Sequence, residues 1–183
     1  MPRRRDCSNI ARSYLHTLLP QLQRFSGGDT GVLMIVELSS EIIVRPAGAA
    51  DVDAIASLCG QLGYPSTAED IERRLAEIIG DPDAAVLVAG SRHGGVVGWV
   101  HVRALHLITR DACAEIGGLV VDESRRGRGI GTRLMAAAEE WAQRQGLGAL
   151  RLRSNVIRDE AHAFYRRQGF ASTKTSLLFT KTL

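Results

Sequence analysis

The chain has 183 residues, 45% of them apolar and 23% charged, with a formal net charge of +3. This length suits one domain with a core that needs no disulfide or metal staple, and so small a positive excess gives no argument for a nucleic-acid partner. Cys7, Cys59 and Cys113 lie far apart without metal-ligand spacing, so free thiols in a reducing compartment are expected, with Cys59 and Cys113 buried in apolar patterns and no metal site.

Residues 1–40 differ from the rest. Arg3, Arg4 and Arg5 precede a weak helical stretch that ends near Pro20, and Ser26-Gly27-Gly28-Asp29 breaks the chain. We read 1–40 as an N-terminal extension, partly disordered, and 41–183 as the folded domain. The stretch from Ile10 to Leu22 is interrupted by Arg12, His16 and Pro20, and it lacks the clean apolar region and small-residue cleavage site of a secretory signal. No apolar run approaches the roughly 20 residues of a membrane helix. A cytoplasmic protein with neither membrane nor nucleic-acid partner is the resulting expectation.

From residue 41 the pattern becomes regular. Glu41 to Arg45 reads as a strand closed by Pro46. Asp51 is placed to cap a helix with Val52, Ile55, Leu58, Cys59 and Leu62 on its apolar face. After Gly63-Tyr64-Pro65, Ser66 and Glu69 have capping-box spacing before a helix carrying Ile71, Leu75, Ile78 and Ile79. Beyond the Asp81-Pro82-Asp83 turn, Ala85 to Ala89 and Val96 to Leu107 read as a hairpin turning at His93-Gly94-Gly95. Ala114 to Val121 is a further strand. A Gly-rich loop from Arg125 to Gly131 then enters a long helix with Ile130, Leu134, Ala138, Trp141 and Ala142 on one face, stopped by Gly146. Ala149 to Arg153 reads as strand, Arg158 to Gln168 as helix, and Phe170 to Lys181 as strand again. The order β-α-α-β-β-β-α-β-α-β-β predicts an α/β domain: a mixed, mostly antiparallel sheet flanked by helices on both faces.

The loop carries the strongest chemical signal. An apolar strand ending at Val121 runs into Arg125-Arg126-Gly127-Arg128-Gly129-Ile130-Gly131 and then into an amphipathic helix. A helix start leaves backbone N–H groups unpaired and carries partial positive charge. Glycine lets that backbone approach an anion without Cβ obstruction, and the arginines add charge-assisted donors. A diphosphate is the expected guest. Thr132-Arg133 follows the last glycine where a Walker loop needs Lys and then Ser or Thr. The spacing Gly127-x-Gly129-x-Gly131 also misses the dinucleotide fingerprint.

Arg126-x-x-Gly129-x-Gly131 at a strand-to-helix junction resembles the cofactor loop of the GNAT N-acetyltransferases. Ala161-His162-Ala163-Phe164-Tyr165-Arg166-Arg167-Gln168-Gly169-Phe170 resembles that family's last helix, with its Phe-Tyr-x-x-x-Gly-Phe ending. The resemblance covers roughly residues 42–183. It implies an acetyl-CoA-dependent transferase that acetylates a primary amine, on a small molecule or a protein, by direct attack in a ternary complex. Homodimerisation is a further option that the resemblance leaves open.

Carried over residue by residue, the resemblance places the pyrophosphate of acetyl-CoA on the backbone of Arg126, Gly127, Arg128, Gly129, Ile130 and Gly131. It places the pantetheine arm against Leu119, Val120 and Val121, with an N–H of Leu119 or Val120 polarising the thioester carbonyl. Gly117-Gly118 suits either a bulge in that strand or a tight packing contact. Tyr165 matches the family's general acid. Asn155 and Arg158 are candidate cofactor contacts, although the family's common Asn falls at the position of Arg158 here. Glu115 is the first candidate for general base and His101 the second, while His162 reads as a helix-face residue.

Overall fold

The computed structural model describes residues 42–91 and 95–183. The N-terminal extension, Cys7 and the first two residues of the His93-Gly94-Gly95 turn lie outside the described residues. Five strands form one sheet in the order β1 (Ile42–Pro46), β2 (Ala84–Ser91), β3 (Val96–Leu107), β4 (Arg110–Val121) and β5 (Leu150–Leu152). The first three pairings are antiparallel and β4–β5 is parallel. This is the mixed, mostly antiparallel sheet expected from the element order.

Alternation along the strands divides the apolar residues between two faces. Leu87, Ala89, Val100, Val102, Ala114 and Ile116 pack against helix α3 (Ile130–Arg144), which contributes Ile130, Leu134, Met135, Ala138, Trp141 and Ala142. Val88, Trp99 and Val120 face the other way, onto Ile55, Leu58 and Cys59 of α1 (Val52–Leu62) and Ile71 and Leu75 of α2 (Ala68–Ile79). The sheet is therefore covered on both sides. Each fully buried large apolar side chain contributes about 1.5–3 kcal/mol. Cys59 and Cys113 are buried free thiols. The last helix, α4 (Asp159–Arg167), follows β5. Among the described residues, no helix is long and apolar enough to cross a membrane.

Several local expectations change. Thr67 rather than Ser66 caps α2, its side chain accepting from Asp70 N at 3.2 Å. Ile79, the last residue of α2, is exposed. Asp51 makes no side-chain cap to α1. Its buried carboxylate instead accepts two guanidinium N–H groups of Arg45 at 2.7 Å each and the Gly48 N–H at 2.9 Å, closing a 3-10 turn over Ala49–Asp51. The two final strands do not form. Residues 171–183 carry neither helix nor strand and are exposed throughout. A strand needs a neighbour to complete its ladder, and among the described residues this segment has none.

Candidate active site

The site begins with a defect in β4. His101 of β3 pairs with Gly118, and the next residue, Val102, pairs with Ile116. Gly117 is therefore an extra residue, a β-bulge. Both readings of the Gly117-Gly118 pair hold. A Cβ on Gly117 would stand 2.6 Å from His101 Nδ1, and one on Gly118 would stand 2.8 Å from the Trp99 ring.

At the bulge β4 also parts from β5. Parallel pairing covers only Ala114–Ile116 against Leu150–Leu152, whereas pairing with β3 continues to Val121↔Gly98. Among the described residues, β4 from Gly117 to Val121 has a neighbour on one side only. Asp122 N donates to Val97 O at 2.8 Å, which fixes the alternation. Val120 directs its backbone groups at β3, and Leu119 and Val121 direct theirs into the gap. Val121 O indeed accepts from Arg126 Nε at 3.3 Å. Of the three strand residues expected to face a cofactor, Leu119 and Val121 thus present backbone to the gap. Val120 instead buries its side chain beneath α1 and α2.

Below the gap, Asp122 caps a 3-10 turn over Glu123–Arg125 through Ser124 N. Gln61 of α1 bonds both Asp122 Oδ2 and Glu123 N at 3.1 Å, tying the turn to the helix layer. Gly127 and Gly129 then take φ of +75° and +76°, with open space where a Cβ would stand. These left-handed positions favour glycine. α3 starts at Ile130, and its first backbone bond to the loop runs from Arg133 N to Gly129 O. Among the described residues, no backbone N–H from Gly127 to Thr132 has a backbone acceptor. Arg126 and Arg128 flank this mouth, and a cavity of about 150 Å³ lies beside it between Arg125, Arg128, Ile130 and Val97. Gly131 has a different reason to be glycine. It lies in the helix, and a Cβ there would meet the Phe164 ring at 3.2 Å.

Phe164 brings α4 onto the loop, and Gln168 Nε2 reinforces the contact by donating to Thr132 Oγ1 at 3.2 Å. The next residue is Tyr165, whose ring meets Phe164 and Phe170 edge-on with centroids 5.4 and 6.0 Å away. Burial pushes the Tyr165 phenol up from its ordinary range, against a smaller pull from Arg158. Arg158 is not directed at the phosphate mouth: its guanidinium donates to Leu62 O at 2.7 Å, joining the start of α4 to the end of α1. Asn155 is used locally. Its Oδ1 accepts from Ile157 N at 3.2 Å and its carbonyl accepts from Arg158 N. His162 Nε2 lies 3.0 Å from that same carbonyl.

On the face of the sheet shared with α1 and α2, a cavity of about 330 Å³ is lined by His101, Arg103, Glu115, Ile116, Gly117 and Arg153. Glu115 is 7% exposed. It accepts from Arg103 at 2.9 Å and lies 3.8 Å from Arg153 Nε. Burial, aided by the Arg103 charge, holds the His101 imidazole below its usual range. The sequence reading had not singled out Arg103 or Arg153. The signal was present for Arg103: it stands two residues after His101 on one strand and so on the same face.

A strand edge with open amides, leading into unpaired N–H groups and guanidinium groups at a helix mouth, fits an extended amide chain ending in a diphosphate. That combination is the chemistry an acyl-CoA requires of its site. The profile of the acetyltransferase (GNAT) family matches residues 51–170. An aminoglycoside N(6')-acetyltransferase type 1 of Stenotrophomonas maltophilia is 31% identical over 150 residues, covering 80% of this chain and 97% of the relative. An aminoalkylphosphonate N-acetyltransferase of Salmonella typhimurium is 33% identical over 142 residues, covering 76% and 90%. The crystal structure of the aminoglycoside N-acetyltransferase AAC(6')-Iy in complex with CoA superposes with a TM-score of 0.72 at 18% identity, over 81% of this chain and all of that one, a likeness of fold. The chain belongs to the GNAT acetyltransferase family. It is an N-acetyltransferase that takes its acetyl group from acetyl-CoA and delivers it to an amine.

Proposed function

We propose that the amine attacks directly within a ternary complex, with Tyr165 as proton donor to the departing sulfur and His101 as proton acceptor from the attacking nitrogen. Bound acetyl-CoA supplies the activated acetyl thioester. The protein's part is to hold it. Leu119 and Val121 offer backbone groups to the amide arm, and the backbone from Arg126 to Gly131 offers N–H groups to the diphosphate. Leu119 N–H, aimed into the gap beside the bulge, polarises the acyl carbonyl, a contribution typically worth about 2.7–4 kcal/mol. Asn155, bonded within its own turn, and Arg158, bonded to Leu62, act as shaping residues rather than cofactor ligands.

The observation that carries the reading is the split between β4 and β5 directly above an anion-binding helix start. The assignment of the base rests on partners. Glu115 is engaged by Arg103 and Arg153, whereas His101 lines the same cavity, kept neutral and ready to accept a proton. A free carboxylate at Glu115 would have been the simpler base, and the ion pairs move that role to its neighbour. The relatives' names frame two acceptor chemistries, a polycationic aminoglycoside and an amine bearing a phosphonate. A homodimer is part of the reading, and sedimentation giving a monomer mass would remove it.

The test is thiol release from acetyl-CoA across a panel of primary amines. Tyr165→Phe is expected to lower kcat by about ten- to a hundredfold, at or below the low end for general acids, with acetyl-CoA affinity unchanged. Unaltered kcat at every pH would remove Tyr165 from the chemistry.

A further inference from the structure

The cavity beside the bulge has a charge that restricts the acceptor. Its charged lining consists of Arg103, Arg153 and Glu115, and His101 is its remaining titratable group. Glu115 is its one carboxylate, and that carboxylate is already paired with Arg103 at 2.9 Å. Arg153 approaches Glu115 through Nε at 3.8 Å without a hydrogen bond, and its side chain is 77% exposed. Its terminal nitrogens are therefore free to take another anion. With His101 neutral, the lining carries one net positive charge. A polycationic acceptor would bring its further ammonium groups towards guanidinium groups, with no unpaired carboxylate among the described lining residues to meet them.

Strand register gives the spacing. Parallel pairing ends at Leu152↔Ile116, and the next residue on each side, Arg153 and Gly117, lines the same cavity, Gly117 being two residues before Leu119. At about 3.3 Å per residue, the Leu119 N–H lies roughly 6–7 Å farther along β4. An amine placed at the thioester beside Leu119 thus has Arg153 within reach of a group a few bonds away.

We infer that the acceptor is a short primary amine carrying one anionic group (carboxylate, phosphate or sulfonate), held by Arg153 with Arg103 while its nitrogen attacks beside Leu119. This rests on the acetyl-transfer site proposed above and names its substrate class. Guanidinium pairs with planar or tetrahedral oxyanions through parallel N–H donors, so the interaction is expected to be directional as well as electrostatic.

Calorimetry on the full chain with CoA in place of acetyl-CoA reads acceptor binding without transfer. The probes are β-alanine, O-phosphoethanolamine and taurine, set against ethanolamine and spermidine. At least one anionic amine is expected to bind about tenfold or more tighter than ethanolamine and spermidine. The three anionic arms identify which oxyanion fits. Arg153→Gln should reduce that preference to about threefold or less, and Arg153→Lys should restore part of it. Because Arg153 is largely exposed, both variants should keep the wild-type melting temperature. Equal affinity for ethanolamine and the anionic amines in the unmutated protein would overturn the inference. So would tighter spermidine binding, or an unchanged preference in Arg153→Gln. Thiol release with acetyl-CoA separates this from the wider reading. Turnover without anion preference sinks only the substrate class, whereas anion-selective binding without turnover of any amine sinks the proposed chemistry.

Discussion

Burial acts on His101 and Tyr165 through one mechanism, the cost of desolvating a charge. The imidazole is held below its usual range and the phenol above its own, so both stay uncharged at neutral pH. In the proposed mechanism that is the working state of each, a base free to accept and an acid still holding its proton. The signs set the pH profile. The fall in kcat from protonating His101 should begin only below about pH 6.5, and the loss from ionising Tyr165 should begin only above about pH 10. His101→Gln should remove the acid limb, and Tyr165→Phe should remove the alkaline one. Measuring kcat against pH at saturating amine, for all three proteins, checks both. An acid limb that persists in His101→Gln returns the role of base to Glu115.

Among the elements, the strand-to-helix junction was the most legible from sequence, because its function is written in residue types that backbone geometry requires. Gly127 and Gly129 adopt left-handed φ. The structure nevertheless separates Gly129 from Gly131. Gly129→Ala places a Cβ at φ +76°, a strain of about 1–2 kcal/mol, and crowds the phosphate mouth, so acetyl-CoA affinity should fall with kcat little changed. Gly131→Ala instead meets the Phe164 ring at 3.2 Å, and α4 must shift with Tyr165 on it. It should lower kcat more than affinity. Titration of acetyl-CoA alongside steady-state kinetics distinguishes the two, and identical patterns would show that the glycines share one role. The Ser66 cap and the final strands differ from expectation for separate reasons: Ser66 Oγ donates to Tyr64 O and accepts from Arg74, leaving Thr67 as the cap, and the strands lack a partner among the described residues. Periodicity reports what a segment is able to form, while pairing depends on which neighbours tertiary structure provides. The approach of Arg153 to Glu115 depends on which strands lie side by side, which no local pattern encodes, whereas Arg103 shares a strand face with His101 and the Arg45–Asp51 pair spans only six residues. Asp51 shows the energetic side. Its carboxyl is held below the ordinary range by Arg45 first and by the Gly48 N–H as well. The stability it adds is therefore present above the unfolded value near pH 3.9 and lost as pH falls through the folded value. Asp51→Asn should lower stability by about 1–3 kcal/mol at pH 7, and by progressively less in acid. Urea unfolding at pH 7 and near pH 3 measures both.

For the molecule as a whole, the core packed beneath α3 and the loop at its start divide stability from binding in a way that heat can read. Leu134 has no exposed surface and sits where α3 packs on Val100 and Val102. Leu134→Ala should therefore cost about 2–5 kcal/mol, lowering the melting temperature by at least about 4 °C at the 2–4 °C per kcal/mol of a chain this size. The helix mouth one turn away should still bind acetyl-CoA, because the N–H groups from Gly127 to Thr132 are set by the loop rather than by that side chain. Ligand at a hundred times its dissociation constant stabilises the native state by about 2.7 kcal/mol, or about 5–11 °C in melting temperature. The unmutated protein and Leu134→Ala should show that increment alike, each at its own saturating acetyl-CoA. Gly129→Ala should behave the opposite way, losing only about 1–2 kcal/mol of intrinsic stability but most of the increment at the concentration that saturates the parent. Thermal melts of the three proteins with and without acetyl-CoA decide the matter. If Leu134→Ala abolished the increment while Gly129→Ala kept it, core packing would govern the binding site, and the loop would not be where the diphosphate is held.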